Sequence, residues 1–383
     1  MSVMLNLILT KTTTKRKTMK NILKIMLVAV TAISFSVANA GELSITGSAK
    51  ASYSITSSDG ENADLQRGKG LGVTNEFTLG ATGELDNGMT WAYAQDIDGA
   101  TAQDDGKLTL TTSYGTFGVF ISEGGLDTDT KADQSVISRP SDTSFNEGMV
   151  DTFDLSGMNT MQYHLPADLL PLGITGKIAY APSSSSAGSI NDYKATGAAN
   201  LGTFTAAATA FNTDAAPIAQ TSAMGKSATH YQVTANPVDG LNVHADYVDY
   251  SGVVDSADQT PESGTIGLVY AYGPATFGLS RNYLATALGD ITSDRLESIE
   301  GTKMSIAFNV NDDLSVSYSE EESTPDMQAA TGTGFAEMES KGIQAAYTMG
   351  GMTLAIAHNN HDNASYTVGK DVQDTVFSVA MAF

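Results

Sequence analysis

Apolar and polar residues alternate along most of this chain with a period of two. In Leu43-Ser-Ile45-Thr-Gly47-Ser-Ala49-Lys50-Ala51-Ser-Tyr53-Ser-Ile55 the odd positions are apolar or small and the even ones polar. The rhythm returns in Met304, Ile306, Phe308 and Val310, in Leu314, Val316 and Tyr318, and in Ile343, Ala345 and Tyr347. Successive strand side chains point to opposite faces, so each segment has one apolar and one polar face. The pattern predicts eighteen strands, at 42–56, 72–85, 89–97, 106–113, 116–122, 157–165, 173–181, 192–201, 203–211, 228–236, 241–250, 262–272, 275–283, 301–310, 313–320, 339–349, 352–361 and 371–383. Alternation is weakest in 157–165 and 192–201, and loss of one hairpin would leave sixteen.

The connections alternate as well. Tight turns are predicted at Asp86-Asn87-Gly88, Tyr114-Gly115, Leu201-Gly202, Pro237-Val-Asp-Gly240, Tyr272-Gly273-Pro274, Asn311-Asp312-Asp313 and Gly350-Gly351, where Gly and Asn/Asp supply positive φ angles. Between these hairpins lie longer polar stretches, the longest at 123–155. Alternate short and long connections place the two ends of the strands in different compartments. That predicts an all-β transmembrane antiparallel barrel of 16–18 strands with short periplasmic turns and long extracellular loops.

A barrel of this size has a lumen too wide for side chains to fill, least of all the Ser, Thr, Gly and Ala of the polar faces. Water therefore fills it, and the apolar faces turn outward to lipid. Tyr53, Trp91, Tyr93, Tyr180, Tyr247, Tyr270, Tyr272 and Tyr347 lie on apolar faces near strand ends, as interfacial girdle residues would.

Residues 1–40 carry Lys11, Lys15, Arg16, Lys17, Lys20 and Lys24 and no acid, then an apolar run from Ile25 to Val37 ending in Ala38-Asn39-Ala40. This is the pattern of a secretory signal peptide cleaved after Ala40, leaving 41–383 as one domain. Met19 is an alternative start. The full chain has 20 Lys+Arg, 43 Asp+Glu and no cysteine; without the leader its net charge is −29. That balance argues against nucleic acid as a partner, and the missing cysteine excludes disulfides and thiol chemistry.

The chain ends Thr375-Val-Phe377-Ser-Val379-Ala-Met381-Ala-Phe383. Phe377, Val379, Met381 and Phe383 resemble the terminal signal that the outer-membrane assembly machinery reads in Gram-negative barrels. With the opening strand, the Glu84-Leu-Asp-Asn-Gly-Met89 hairpin and the Tyr114-Gly-Thr-Phe-Gly118 turn, the chain resembles a general bacterial porin. The resemblance implies an outer-membrane homotrimer of sixteen-stranded barrels, each with its third loop folded inward as a constriction. Two features depart from that pattern. The strand count exceeds sixteen by one hairpin. Ile121-Ser122-Glu123 stands where relatives often carry Gly-Arg-Gln or Gly-Arg-Asn, which removes an arginine from the expected basic wall.

On this reading loop 3 is 123–155, with Glu123, Asp127, Asp129, Asp133, Asp142, Glu147, Asp151 and Asp154 against Lys131 and Arg139. Its acids, Glu123, Asp127, Asp129, Asp133, Asp142 and Glu147 foremost, are expected to line the constriction and favour cations. Alternation places Lys50, Glu76, Lys107 and Lys177 on the pore-lining side. The expected function is passive diffusion of small hydrophilic solutes and cations, without a cofactor. The alternatives are a solute-specific outer-membrane channel and a secreted, non-pore β-rich surface protein.

Chemistry is otherwise sparse. His358-Asn-Asn-His361 would place its two imidazoles on opposite faces of a strand. Asp96-Ile-Asp98-Gly99 and Asp127-Thr-Asp129 echo calcium loops but lack the closing glutamate, so at most loosely bound calcium is expected. His244 beside serines is the weak trace of a barrel hydrolase, and no nucleophile elbow or phosphate loop accompanies it.

Overall fold

A computed structural model describes residues 43–59, 68–98, 105–122, 125–142, 149–152, 159–182, 227–251, 259, 261–285, 296–327 and 336–382. Its strands are β1 (Leu43–Asp59), β2 (Gly68–Glu84), β3 (Thr90–Asp98), β4 (Gly106–Thr112), β5 (Gly115–Ile121), β6 (Thr160–His164), β7 (Thr175–Ala181) and β8 (Ser227–Val238). They continue as β9 (Leu241–Ser251), β10 (Glu262–Tyr272), β11 (Ala275–Ala285), β12 (Leu296–Asn309), β13 (Leu314–Met327), β14 (Met338–Met349), β15 (Met352–Asp362) and β16 (Asp371–Ala382). Each strand pairs antiparallel with its sequence neighbours, and β16 returns to β1 to close the barrel.

The wall therefore has sixteen strands rather than eighteen. β7 pairs directly with β8, from Thr175 opposite Thr234 to Ala181 opposite Ala228. This leaves no place in the ring for the predicted strands 192–201 and 203–211, which lie outside the described residues. A hairpin rhythm cannot tell a wall hairpin from any other, because both satisfy local alternation. The leader and Phe383 also lie outside the described residues.

Register carries the two faces around the ring without inversion. Lys50 stands opposite Thr74 on one side and Ala380 on the other, and the row His164, Lys177, Gln232, Asp246, Thr265, Asn282 keeps to the same face. Large apolar residues fill the opposite, outward face: Leu43, Ile45, Val73, Ile266, Phe277, Leu279, Met304, Phe308, Ile343 and Phe377 are all exposed. A soluble barrel would hide them, whereas hydrocarbon accommodates them. No helix among the described residues is long enough to cross a membrane.

One part of the inward face is apolar. Val248, Leu284, Ile299, Met338 and Val372 are fully buried near the loop ends of β9, β11, β12, β14 and β16, together with Tyr366 from the β15–β16 connection. This small internal core lies under the segments folded into the barrel, where water is excluded.

Candidate functional site

The connection between β5 and β6 turns into the barrel and crosses its inner wall. Leu126 donates its N–H to His230 Nδ1 (3.2 Å) and accepts from Gln232 Nε2 (2.7 Å), both on β8. Thr128 donates its N–H to Asp246 on β9 (2.8 Å). Ala132 accepts from Ser305 Oγ on β12 (2.6 Å), and Ser305 also receives the Gln134 N–H (3.0 Å). Val136 donates to Ser317 on β13 (3.0 Å), Ile137 to Gln344 on β14 (2.9 Å), and Ser141 to Glu321 on β13 (3.1 Å). The returning limb is fixed by Asn282 Nδ2 to Asp151 O (2.8 Å) and Ser323 Oγ to Val150 O (3.1 Å).

These contacts explain the small polar residues of the inward face. A buried backbone N–H or C=O must find a partner, and Ser, Gln and Asn reach the loop without thickening the wall. Glycine serves the same end: a Cβ on Gly278 would lie 1.8 Å from Ala132 O.

Charge adds a second hold. Lys303 Nζ sits 3.0 Å from Asp151 and 3.7 Å from Asp129, while Arg139 binds Asp142 (2.6 Å) and Asp151 and stands 3.9 Å from Glu321. Asp151, Glu321 and Lys303 are buried, so their mutual attraction is little screened. Burial pushes the Asp129 carboxyl above its ordinary range, with Lys303 pulling it back. Burial acts the same way on Asp151, but Lys303 and Arg139 outweigh it and leave that carboxyl below its ordinary range. Lys131 is lowered by burial and by the charge of Lys177.

The acids expected at the constriction thus have definite partners. Asp129 and Asp142 are ion-paired as above, and Asp133 accepts from Ser135 (2.7 Å) and Ser319 (3.0 Å). Asp127 lies 3.8 Å from His230 Nδ1. That nitrogen accepts the Leu126 N–H, so the imidazole carries its proton on Nε2, toward Asp246 (3.4 Å). Glu123 and Glu147 lie outside the described residues. Asp127 and Asp129 face different strands, and among the described residues no three His, Cys, Asp or Glu side chains converge as metal ligands.

Lys50, Glu76, Lys107 and Lys177 all fall on the inward face, on β1, β2, β4 and β7; Lys177 stands beside Gln232 of β8, near enough to the loop for its charge to act on Lys131. Lys50, Lys177 and the loop residue Lys131 enter no ion pair among the described residues. Phe377, Val379 and Met381 fall on the outward face, opposite Tyr53, Ala51 and Ala49. His358 faces outward and His361 inward, where His361 joins Ser340 (2.9 Å) to Asp374 (3.1 Å).

Sequence reasoning missed Lys303, Glu321 and Tyr366. The first two are charges on the polar face of a strand, a signal that was there to be read. Tyr366 lies in a polar connection and gives no periodic signal. His244 is buried, and among the described residues neither ring nitrogen has a hydrogen-bond partner.

No protein-family model matches the chain, and no curated protein does. Solved structures do. An anion-selective porin from Comamonas acidovorans is 13% identical with a TM-score of 0.60, covering 89% of this chain and 100% of its own. Salmonella typhi OmpF in complex with daunomycin is 13% identical with a TM-score of 0.59, covering 90% of this chain and 98% of its own. A triple mutant of Rhodopseudomonas blastica porin is 13% identical with a TM-score of 0.52, covering 89% and 100%. At such identities the likeness is one of fold: the chain has the fold of these bacterial porins.

Proposed function

We propose that the chain forms a water-filled pore in the outer membrane of a Gram-negative bacterium, through which small hydrophilic solutes and ions diffuse passively. The observation that carries this reading is a closed wall with apolar residues outside, polar residues inside and a loop fastened along the inner wall. Export would follow from removal of residues 1–40, and insertion from recognition of Phe377, Val379, Met381 and Phe383 by the assembly machinery. The mechanism is size sieving with electrostatic bias, and it invokes no cofactor and no catalytic step.

Assembly as a homotrimer is supported by the outward face. On β9–β14, Asp249, Glu262, Arg281, Glu300, Glu320, Glu322, Glu339 and Lys341 point outward toward the loop ends. Outward positions of β1 and β2 instead carry Leu43, Ile45, Ala49, Leu71 and Val73, with the charged positions Asp59 and Lys69 at their loop end. A face that is apolar over its length, with charge confined to the loop end, suits burial against a second copy.

Cation preference rests on the excess of carboxylates. With Asp129, Asp142 and Asp151 paired, Glu76 and Asp98, exposed on the inward face, carry more of that bias. Refolded protein in planar bilayers should give stable conductance and, in a salt gradient, a cation-selective reversal potential that weakens at high salt. An anion-selective potential would refute the preference and leave the pore standing. Protein that stays dispersed without detergent and never conducts would refute the pore. Conductance that saturates with one solute would mark a solute-specific channel.

A further inference from the structure

The connection between β15 and β16 folds toward the lumen and carries unusual backbone. Asn363, Ser365 and Tyr366 all have φ between 52° and 57°, a left-handed conformation that non-glycine residues adopt at a penalty. Such a penalty persists only where the surroundings over-determine it. Here Asn363 donates to Glu337 O (2.9 Å) through Nδ2 and accepts from the Gly369 N–H (2.9 Å). Ala364 donates to Lys370 O (2.8 Å), and Tyr366 O accepts from the Ala336 N–H (3.1 Å).

The strained turn delivers one side chain inward. Tyr366 is fully buried. Its hydroxyl accepts the Val150 N–H (2.8 Å) and shares a hydrogen bond with Ser323 Oγ (2.7 Å). Ser323 in turn donates to Val150 O (3.1 Å). Both backbone groups of Val150 are thereby fastened beside Asp151, which Lys303 and Arg139 hold.

We propose that Tyr366 is a positioning residue: the last connection of the barrel, through this hydroxyl, fixes the returning limb of loop 3 and so sets the open cross-section. The inference rests on the pore reading. It couples the loop-end rim at β15–β16 to the interior, because any ligand or cleavage that unseats residues 363–370 would release Val150. Burial keeps the phenol above its ordinary range, so the hydroxyl retains its proton and serves both partners across physiological pH.

The test compares wild type with Tyr366→Phe, which keeps the ring and removes the hydroxyl, and with Tyr247→Phe, which removes a hydroxyl that bonds Glu262 on the outward face. Amide exchange at Val150, followed by mass spectrometry on refolded protein, should quicken about tenfold in Tyr366→Phe, as loss of a buried hydrogen-bond partner implies. Bilayer recordings should show excursions to higher conductance about tenfold more often, and liposomes should admit a trisaccharide faster. The barrel's thermal unfolding should stay where it is in wild type, and Tyr247→Phe should match wild type in all three readouts. Unchanged exchange in Tyr366→Phe would overturn the proposal, as would an effect seen only as lowered unfolding temperature. Quickened exchange in a protein that never conducts would sink the pore reading while leaving the clasp.

Discussion

The two halves of the barrel are written in the same period-two pattern yet hold their polar residues in opposite ways. On β8–β14 the inward side chains are sealed under loop 3: Gln232, Asp246, Ser305, Ser317, Glu321 and Gln344 are buried and hydrogen-bonded to it. On β1, β2, β4 and β7 the equivalent positions hold Lys50, Gly72, Glu76, Lys107 and Lys177, which are exposed or half-exposed. A polar face is thus a scaffold where a segment lies on it and a solvated surface where none does. Net charge alone is a poor guide to a pore, because carboxylates that hold the loop in place are partly neutralised by the cations that hold them.

The largest effect is expected at the centre of the covered wall. Lys303→Met should leave Asp129 and Asp151 facing each other with only Arg139 to compensate, at about 3 kcal/mol or more. Thermal unfolding should fall, and the conductance of surviving channels should rise and become noisy. A quiet, wild-type channel would mean that the ion cluster does not hold the loop.

A matched glycine pair sharpens the contrast between the walls. Gly278→Ala on β11 drives a Cβ into Ala132 O, whereas Gly72→Ala on β2 meets, among the described residues, only Ser52 Oγ at 3.8 Å. The first should cost about 1–3 kcal/mol and alter conductance; the second should do neither. Equal effects on conductance and unfolding would erase the distinction drawn here.

Charge reversal on the solvated wall should act on selectivity alone. Lys50→Glu or Lys177→Glu should raise the cation-to-anion permeability ratio roughly two- to fivefold, read from reversal potentials. Thermal unfolding should move by less than about 0.5 kcal/mol. A large loss of stability would show that these lysines are structural after all.

The smallest effect concerns pH. Asp129, held above its ordinary 3.8, should take up its proton first as pH falls and release Lys303 from one partner. Asp151, held below 3.8, contributes stability that is full at neutral pH and is lost only as pH falls through that lowered value. Open-channel noise should therefore rise in two steps on acidification, and Asp129→Asn should remove the upper one. A single step unaffected by Asp129→Asn would contradict this order.

Much of the fold was legible from the chain. The alternation in Leu43–Ile55 and Met304–Val310 named the outward face correctly because a strand has only two faces and hydrocarbon tolerates only one kind of residue on it. The strand number was less legible: 192–201 and 203–211 read as a hairpin, and only the direct pairing of β7 with β8 excludes them from the wall. The acids Asp129 and Asp133 could be assigned to loop 3 but not to partners, since Lys303 and Ser319 lie 174 and 186 residues away along the chain. Tyr366 was invisible for the same reason, its partner Val150 being 216 residues distant.

Local chemistry by itself determined that this chain makes amphipathic strands, tight glycine turns and an apolar exterior, because those properties depend on residues a few positions apart. Closure at sixteen strands, the seating of loop 3 and the state of each carboxylate were decided only in three dimensions. They depend on which distant groups the closed ring brings within hydrogen-bonding reach, and on how much water that enclosure leaves between them.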